Sequence, residues 1–468
     1  MFQTKHLLQQ YTIAVNILRK YTGKPELKTF TQKKQYYGDL FPDKLLNKKQ
    51  KTPSHLYITN EQTAHQINKH LEPFFQQSPC DTILELNPGI GAFTRRLLDN
   101  EEKFKKIILM ETMDYFMGNL QEMHTLYPER VKVKQGDLVN IWKLVYQDKM
   151  DNGSRVQDLL RDIPNRQFEE EPNILLFGAV GSYQFFKHLI NSIIFQNSFL
   201  NLGRAEMYFV VPPPIYLHLT CTSEIGYMIY RSTSILFQML FEYRFIARLP
   251  RDEFLPAQTE YNFTKGSKLG RVRSVNPEFL YLVRIVPRRD IYKYVAPEDM
   301  PSLWYFVKQN CVSRRNRIIP NLEKWIPGCG PRLIINAEEP QPSVPLYDDE
   351  DIAKLPKYSS RCCTINNNDY YPNINIYTQF GDLRASQMLT LFSLFRKWPE
   401  YKESSFLASF ENSMLKMEAS AEESVEGIAE EDDDISVEQT PEEDGATTTT
   451  TTVQKVNAKR SRKLVKET

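Results

Sequence analysis

From residue 80 to residue 290, short apolar runs alternate with segments of helical period. The runs are 82–87, 106–111, 131–136, 173–178, 205–211, 243–249 and 279–286. Each has the length of a strand, and several are apolar at most positions on both faces, as strands buried on both faces are. Helical spacing fills 92–99, 114–124, 138–148, 183–195 and 225–241. Such alternation predicts an α/β fold, a mostly parallel sheet with helices on both faces. The last two runs are expected to close the sheet as an antiparallel pair joined by the polar stretch 251–278.

Beyond residue 295 the pattern changes. Residues 300–326 read as one basic helix, and 386–397 as a second with Ser386 as its N-cap. Between them, 337–385 is polar and rich in Asp, Pro, Asn and Tyr, as a surface insertion would be. From residue 418 the chain turns acidic and then into a threonine run, with too little apolar surface to offset ordering. The expected organisation is therefore 1–53 as an N-terminal import or entry segment and 54–295 as the sheet domain. A small C-terminal helical domain follows over 296–417, then a disordered acidic tail over 418–468.

Composition modifies this picture in two places. The net charge of +1 hides an asymmetry. Residues 418–468 carry 14 acidic and 6 basic side chains, whereas residues 1–417 carry 53 basic and 44 acidic ones. The body is mildly basic, compatible with a polyanion or simply with a soluble surface. Residues 1–25 hold Lys5, Arg19, Lys20 and Lys24 and no acid. An amphipathic helix there fits either an import segment or the first helix of the fold. No apolar stretch approaches the ~20 residues that span a bilayer. The six cysteines form no C-x-x-C pair, and no two histidines have helical ligand spacing. Neither a metal site nor a disulfide framework is expected.

The chemistry concentrates at strand ends. After the first run, "LNPGIGAF" places Gly89 and Gly91 in a turn that lets a ligand approach the backbone. Glu111 ends the second run, where a carboxylate can accept from a ribose diol. Gly136-Asp137 ends the third, where Asp137 can meet an adenine amine. Each alone is weak. Spaced about one βα unit apart, they point to an adenosine-type pocket.

"ILELNPGIGAFTRRLLDN", "IILMET" and "VKQGDL" resemble motifs I to III of the ribosomal RNA adenine dimethyltransferases. Asn87-Pro88 before Gly89 is similar to the branch of mitochondrial transcription factor B. "LWYFVKQNCVSRRNRIIPNL" and "LFSLFRKWPEYKESSFLASF" resemble C-terminal segments of that family and of the fungal mitochondrial transcription factors. The resemblance covers about residues 54–415 and implies a Rossmann-like class I methyltransferase sheet. It also implies S-adenosylmethionine contacts at Asn87, Gly89, Gly91, Glu111, Asp137 and Gly178, with Ile58 contributed by the entry segment. In that segment the family's Q-N-F-L motif has Asn where Leu56 stands here.

One motif departs from the family. An Asn-Leu-Pro-Tyr element should follow the fourth strand, orienting the target amine and stacking on the flipped base. This chain has Gly178, Ala179, Val180 and Gly181 there. Tyr183 could supply a ring only in an unusual register. No catalytic residue is therefore expected, and methyl transfer should be lost or very weak. The cofactor could be vestigial.

Lys308, Arg314, Arg315 and Arg317 lie beside Trp304, Tyr305 and Phe306. The charges alone fit a solvated helix face; with the resemblance, nucleic-acid contact is favoured. Arg271, Arg273, Arg288 and Arg289 are further candidates. The resemblance implies a monomeric mitochondrial matrix protein, with mitochondrial RNA polymerase and promoter DNA as partners and RNA as a second nucleic acid. The competing expectation is an active S-adenosylmethionine-dependent ribosomal RNA adenine dimethyltransferase.

Overall fold

A computed structural model of the chain describes residues 40–47, 53–100, 103–224, 229–257, 278–335, 365 and 368–423. The import segment before residue 40, Arg271 and Arg273, most of the 337–385 insertion and the tail beyond 423 lie outside the described residues.

In chain order the first elements are α1 (Asp43–Asn47), β1 (Tyr57–Ile58), α2 (Glu61–Gln77), β2 (Thr82–Leu86) and α3 (Ala92–Leu98). Next come β3 (Lys106–Glu111), α4 (Asp114–Leu126), β4 (Val131–Gln135), α5 (Ile141–Asp151) and α6 (Arg155–Leu160). The middle of the chain forms β5 (Ile174–Ala179), α7 (Tyr183–Ile194), β6 (Ala205–Val211), α8 (Pro213–Thr220) and α9 (Ser232–Leu240). The sheet is completed by β7 (Phe241–Pro250), β8 (Phe254–Leu255) and β9 (Phe279–Pro287). The C-terminal helices are α10 (Ile291–Tyr294), α11 (Met300–Asn310), α12 (Ile318–Glu323), α13 (Gly330–Ile335), α14 (Ala385–Lys397) and α15 (Ser405–Glu423).

All seven expected runs are strands of one sheet, in the order β4-β3-β2-β5-β6-β9-β7. The pairs from β4 to β6 are parallel, and β9 runs antiparallel to both β6 and β7. The chain leaves β2 toward β3 and β4 and returns through β5 toward β6. The crevice above the carboxyl ends of β2 and β5 is thus the switch point where such sheets bind ligands.

The central strands β2, β5 and β6 are buried at every position, which explains why they are apolar on both faces, with Glu85 and Glu206 the buried acids among them. Alternate residues feed two cores. Leu84, Leu86, Leu176 and Phe209 face one side, and Ile83, Leu175, Phe177 and Tyr208 the other. The first core continues without a break into the C-terminal helices through Phe306, Phe392, Phe395 and Phe406.

Three expected elements are corrected. The 225–241 helix is only Ser232–Leu240 among the described residues, and Phe241 opens β7. The ladder of β7 with β9 from Phe241↔Pro287 onward overrides the helical period there. The 300–326 helix is broken into α11 and α12 by a turn that carries Arg314 and Arg315. Ser386 is not an N-cap: α14 starts after Arg384, whose N–H donates to Gln387 Oε1 (3.0 Å), while the Ser386 hydroxyl donates to Asp369.

Candidate functional site

β2 ends at Leu86, and the chain turns through three left-handed residues, Asn87 (φ 51°), Gly89 (φ 58°) and Gly91 (φ 71°). Asn is the side chain that visits this region most readily after glycine. The glycines are also required by space. A Cβ on Gly89 would lie 2.9 Å from the Tyr57 ring, and one on Gly91 2.5 Å from the Met123 methyl. The room the turn leaves beside its backbone is therefore filled by the chain's own side chains.

The structure brings Asn87, Gly89, Gly91, Glu111, Asp137 and Gly178 to the carboxyl end of the sheet. Glu111 is fully buried. It accepts from the N–H groups of Gly89 (3.0 Å), Thr112 (2.8 Å) and Met113 (2.9 Å), and from the Tyr57 hydroxyl (3.2 Å). Burial pushes its carboxyl above the usual range, against these donors. The same burial, with the Glu111 charge beside it, pushes the Tyr57 phenol upward, so the hydroxyl stays a donor.

Asp137 accepts from the Asn140 N–H (2.9 Å) and the Asn140 amide (2.8 Å), and pairs with His55 Nε2 at 3.0 Å. Burial would raise its carboxyl; the His55 and Asn140 contacts outweigh that and hold it low. Behind the turn, Glu85 is buried and accepts from the Thr94 hydroxyl (2.7 Å). Desolvation lifts Glu85 to about 8. The Asn87 amide nitrogen is buried with no hydrogen-bond partner among the described residues.

His55 and Tyr57 are the site residues that the motifs do not mark. They sit two apart in an extended segment, so both point to one face, where one reaches Asp137 and the other Glu111. Ile58 packs into the second core and pairs with Phe254. The legible signal was the His-Leu-Tyr-Ile alternation in the entry segment.

The same segment closes on the degenerate motif. His55 forms an antiparallel bridge with Val180, the Leu56 N–H donates to the Ala179 carbonyl (3.1 Å), and the Gly181 N–H donates to the Ser54 carbonyl (3.0 Å). A Cβ on Gly181 would lie 1.9 Å from the Pro53 carbonyl oxygen. Gly178 is equally constrained: its Cβ would meet Leu86 Cβ at 2.9 Å across the ladder. Tyr183 does not stand in for the missing ring, since it opens α7 and packs edge-on against His218 at 4.8 Å. Where the family's motif would hold an amine and a stacking ring, this chain holds its own backbone.

The basic residues lie away from these strand ends. Lys308 stands over the Trp304 ring at 5.7 Å. Tyr305 and Phe306 are buried, Phe306 among Trp325, Phe380, Phe392 and Phe395, so they are core aromatics. Arg315 and Arg317 are exposed and Arg314 is half-buried. Arg288 is buried and donates to the Gln238 carbonyl, so it serves the fold, while Arg289 makes an exposed pair with Glu171 at 3.0 Å. Among the described residues no cluster of His, Cys, Asp and Glu could hold a metal ion. No described helix is long and apolar enough to cross a membrane.

A parallel sheet with its switch point between β2 and β5, a left-handed glycine turn and acids at the next two strand ends define a methyltransferase-type Rossmann fold. The family model for ribosomal RNA adenine dimethylase matches residues 46–328, more than half of the chain, and the chain belongs to that family. It is 62% identical over 403 residues to Dimethyladenosine transferase 2, mitochondrial, of Drosophila melanogaster, covering 86% of this chain and 88% of that one. With the Mus musculus protein of the same name it shares 24% identity over 243 residues, 50% of this chain and 59% of that one. The crystal structure of 23S rRNA methyltransferase ErmE is similar at 14% identity and a TM-score of 0.37, covering 73% of this chain and 100% of its own. The expected mitochondrial location agrees with the name of the fly relative. The family is dependent on S-adenosylmethionine. Here the polar groups suit an adenosine, with Glu111 to accept from the diol, Asp137 to accept from the amine and the unpartnered Asn87 amide nitrogen beside them. Tyr57 and His55 each already occupy one oxygen of those carboxylates.

Proposed function

We propose that this chain is a methyltransferase-like factor that acts in mitochondrial transcription initiation without transferring methyl groups. It would bind the mitochondrial RNA polymerase and promoter DNA and help separate the strands. The observation that carries the first half is the contact of Gly181 with the Pro53 carbonyl. Methyl transfer to an adenine amine needs an acceptor and a stacking ring at that edge. Gly178, Ala179, Val180 and Gly181 offer neither, and the entry segment fills the place. S-adenosylmethionine, if held, would lie on Glu111, Asp137 and the 87–91 turn and supply a methyl group that no residue here directs to a base.

The second half is supported by the exposed Arg315 and Arg317 with Lys308 and Arg314 nearby, and by the resemblance of the C-terminal segments to mitochondrial transcription factors. The mechanism is stabilisation: cations neutralise phosphates and rings stack on unpaired bases, which lowers the cost of melting. The deciding assay is promoter-dependent transcription by the mitochondrial RNA polymerase with and without this protein. Stimulation is expected on duplex promoter and should shrink on a premelted template. In parallel, labelled S-adenosylmethionine is incubated with the protein and a small-subunit ribosomal RNA hairpin. Robust dimethyladenosine formation, or transcription indifferent to the protein, overturns the proposal.

A further inference from the structure

The basic turn between α11 and α12 is not a free loop. Residues 376–382, which follow most of the polar insertion, are stitched to it by backbone. Ile318 N–H donates to the Thr378 carbonyl, Phe380 N–H to Asn316, and Gly381 N–H to Arg314, each at 2.9 Å, and Arg317 bridges Gln379. Gly381 has no room for a side chain, since a Cβ would lie 2.6 Å from the Arg314 carbonyl oxygen. Beneath this seam Ile318 and Phe380 are fully buried.

On its outer side the seam holds two apolar side chains in solvent. Tyr377 is 66% exposed and Ile376 50% exposed. The Arg317 guanidinium lies over the Tyr377 ring at 5.2 Å. The backbone behind the ring is fixed further by Tyr377 N–H to Asn375 Oδ1 (2.8 Å) and Asn375 N–H to Thr378 Oγ1 (2.9 Å). Neither Arg315 nor Arg317 makes an ion pair among the described residues, and Asp382 is committed to the Gln379 N–H (2.9 Å). A rigidly mounted, solvent-facing ring beside uncompensated guanidiniums suits one ligand chemistry: an unpaired base flanked by phosphates.

We infer that Tyr377, with Ile376 beside it, Arg317 over one face of its ring and Arg315 on the same turn as Arg317, is a stacking platform for single-stranded nucleic acid that offers its other face to a base. This rests on reading the arginines as a nucleic-acid contact and deepens it, since it selects unpaired strands over duplex and names the residue that selects. The ring supplies a face for any base, and the arginines supply the phosphate contacts. Preference should be for unpaired strands of little sequence specificity, with duplex bound more weakly through phosphates alone.

The test is fluorescence anisotropy with a labelled oligothymidylate and a labelled duplex, on full-length protein, across a salt series. Tyr377→Ala should weaken oligothymidylate binding roughly tenfold, Tyr377→Phe should bind as wild type does, and duplex binding should change little in either. The salt slope should stay constant in both tyrosine variants. It should fall by about 0.7 for each of Arg315→Gln and Arg317→Gln. Tyr377 is exposed, so these variants are expected to fold; circular dichroism verifies it. Wild-type affinity in Tyr377→Ala overturns the platform while leaving the arginine contact standing. Failure of the wild type to bind either probe overturns both. If Tyr377→Ala keeps its oligothymidylate affinity but loses binding to the RNA polymerase, the ring belongs to a protein interface and the inference is wrong.

Discussion

Gly181→Ala tests whether the entry segment closes the sheet edge at residues 178–181. The added methyl carbon would stand 1.9 Å from the Pro53 carbonyl oxygen. An ordinary carbon–oxygen contact is about 3.3 Å, so the two backbones must part by roughly 1.4 Å. No rotamer relieves the clash, because both partners are main chain. A shift of that size takes the Gly181–Ser54 and Leu56–Ala179 bonds, now 3.0 and 3.1 Å, beyond hydrogen-bond length. At about 1 kcal/mol each, their loss costs about 2 kcal/mol. If the segment detaches, Leu56 and Tyr57, both buried, lose burial worth about 1.5–3 kcal/mol apiece. The expected destabilisation is therefore at least about 2 kcal/mol. Urea unfolding measures it, and hydrogen exchange should show faster exchange at residues 54–58. Gly118→Ala is the control. Gly118 lies inside α4 with open space around its Cβ, so alanine there should stabilise by about 0.5–1 kcal/mol. Wild-type stability and protection in Gly181→Ala would refute the closed-edge reasoning.

Three further outcomes follow from the same geometry. His55→Ala and Tyr57→Phe each release one carboxylate from its own-chain partner, so both should bind S-adenosylhomocysteine more tightly than wild type in calorimetry; equal or weaker binding by both would show that the segment does not compete with an adenosine. Grafting Asn-Leu-Pro-Tyr onto 178–181 should not restore methyl transfer, because the tyrosine falls on Gly181 against Pro53; a labelled-methyl assay showing turnover would contradict this. Stability should also depend on pH with a predictable sign. Glu85 is lifted from 4.5 to about 8, so the native state keeps a proton that the unfolded chain has lost. Stability falls as pH rises through that window, by up to about 1.4 kcal/mol per pH unit, and Glu85→Gln should flatten the slope. Buried His188 and half-buried His218, lowered by desolvation from 6.5 to about 4, act oppositely: their contribution is present above 6.5 and is lost as pH falls toward 4. Stability curves at several pH values with Glu85→Gln and His188→Gln separate the two.

What the chain announced and what it concealed divide along physical lines. β2, β5 and β6 were legible because burial on both faces leaves short runs that are apolar at most positions. Glu111 and Asp137 were legible because parallel strands bring their carboxyl ends to one edge. The His55–Asp137 and Tyr57–Glu111 contacts span 82 and 54 residues, and no local period encodes a pairing at that range. The break in the 300–326 helix was hidden for a similar reason: its turn is held by a seam to residues 376–382, whose polar composition resembles a loop. The end of the expected 225–241 helix at Leu240 is set by the β9 ladder, which no local period encodes.

The buried acids change meaning once their partners are known. A carboxylate removed from water is costly unless something donates to it. In a methyltransferase the ribose and the adenine can do this, so acids at the ends of β3 and β4 read as evidence for a cofactor. Here Tyr57 and His55 donate instead, from a segment whose backbone also pairs with Ala179, Val180 and Gly181. That pairing is possible because glycine at 181 leaves room for the Pro53 carbonyl. The two departures are thus one structural event. On the proposed reading, glycine at 181 leaves room for the entry segment, and the entry segment supplies partners to the same acids that an adenosine would use. Of the retained motif I to III residues, Glu111 and Asp137 are thus partnered within the folded chain, whereas the Asn87 amide nitrogen is not, among the described residues.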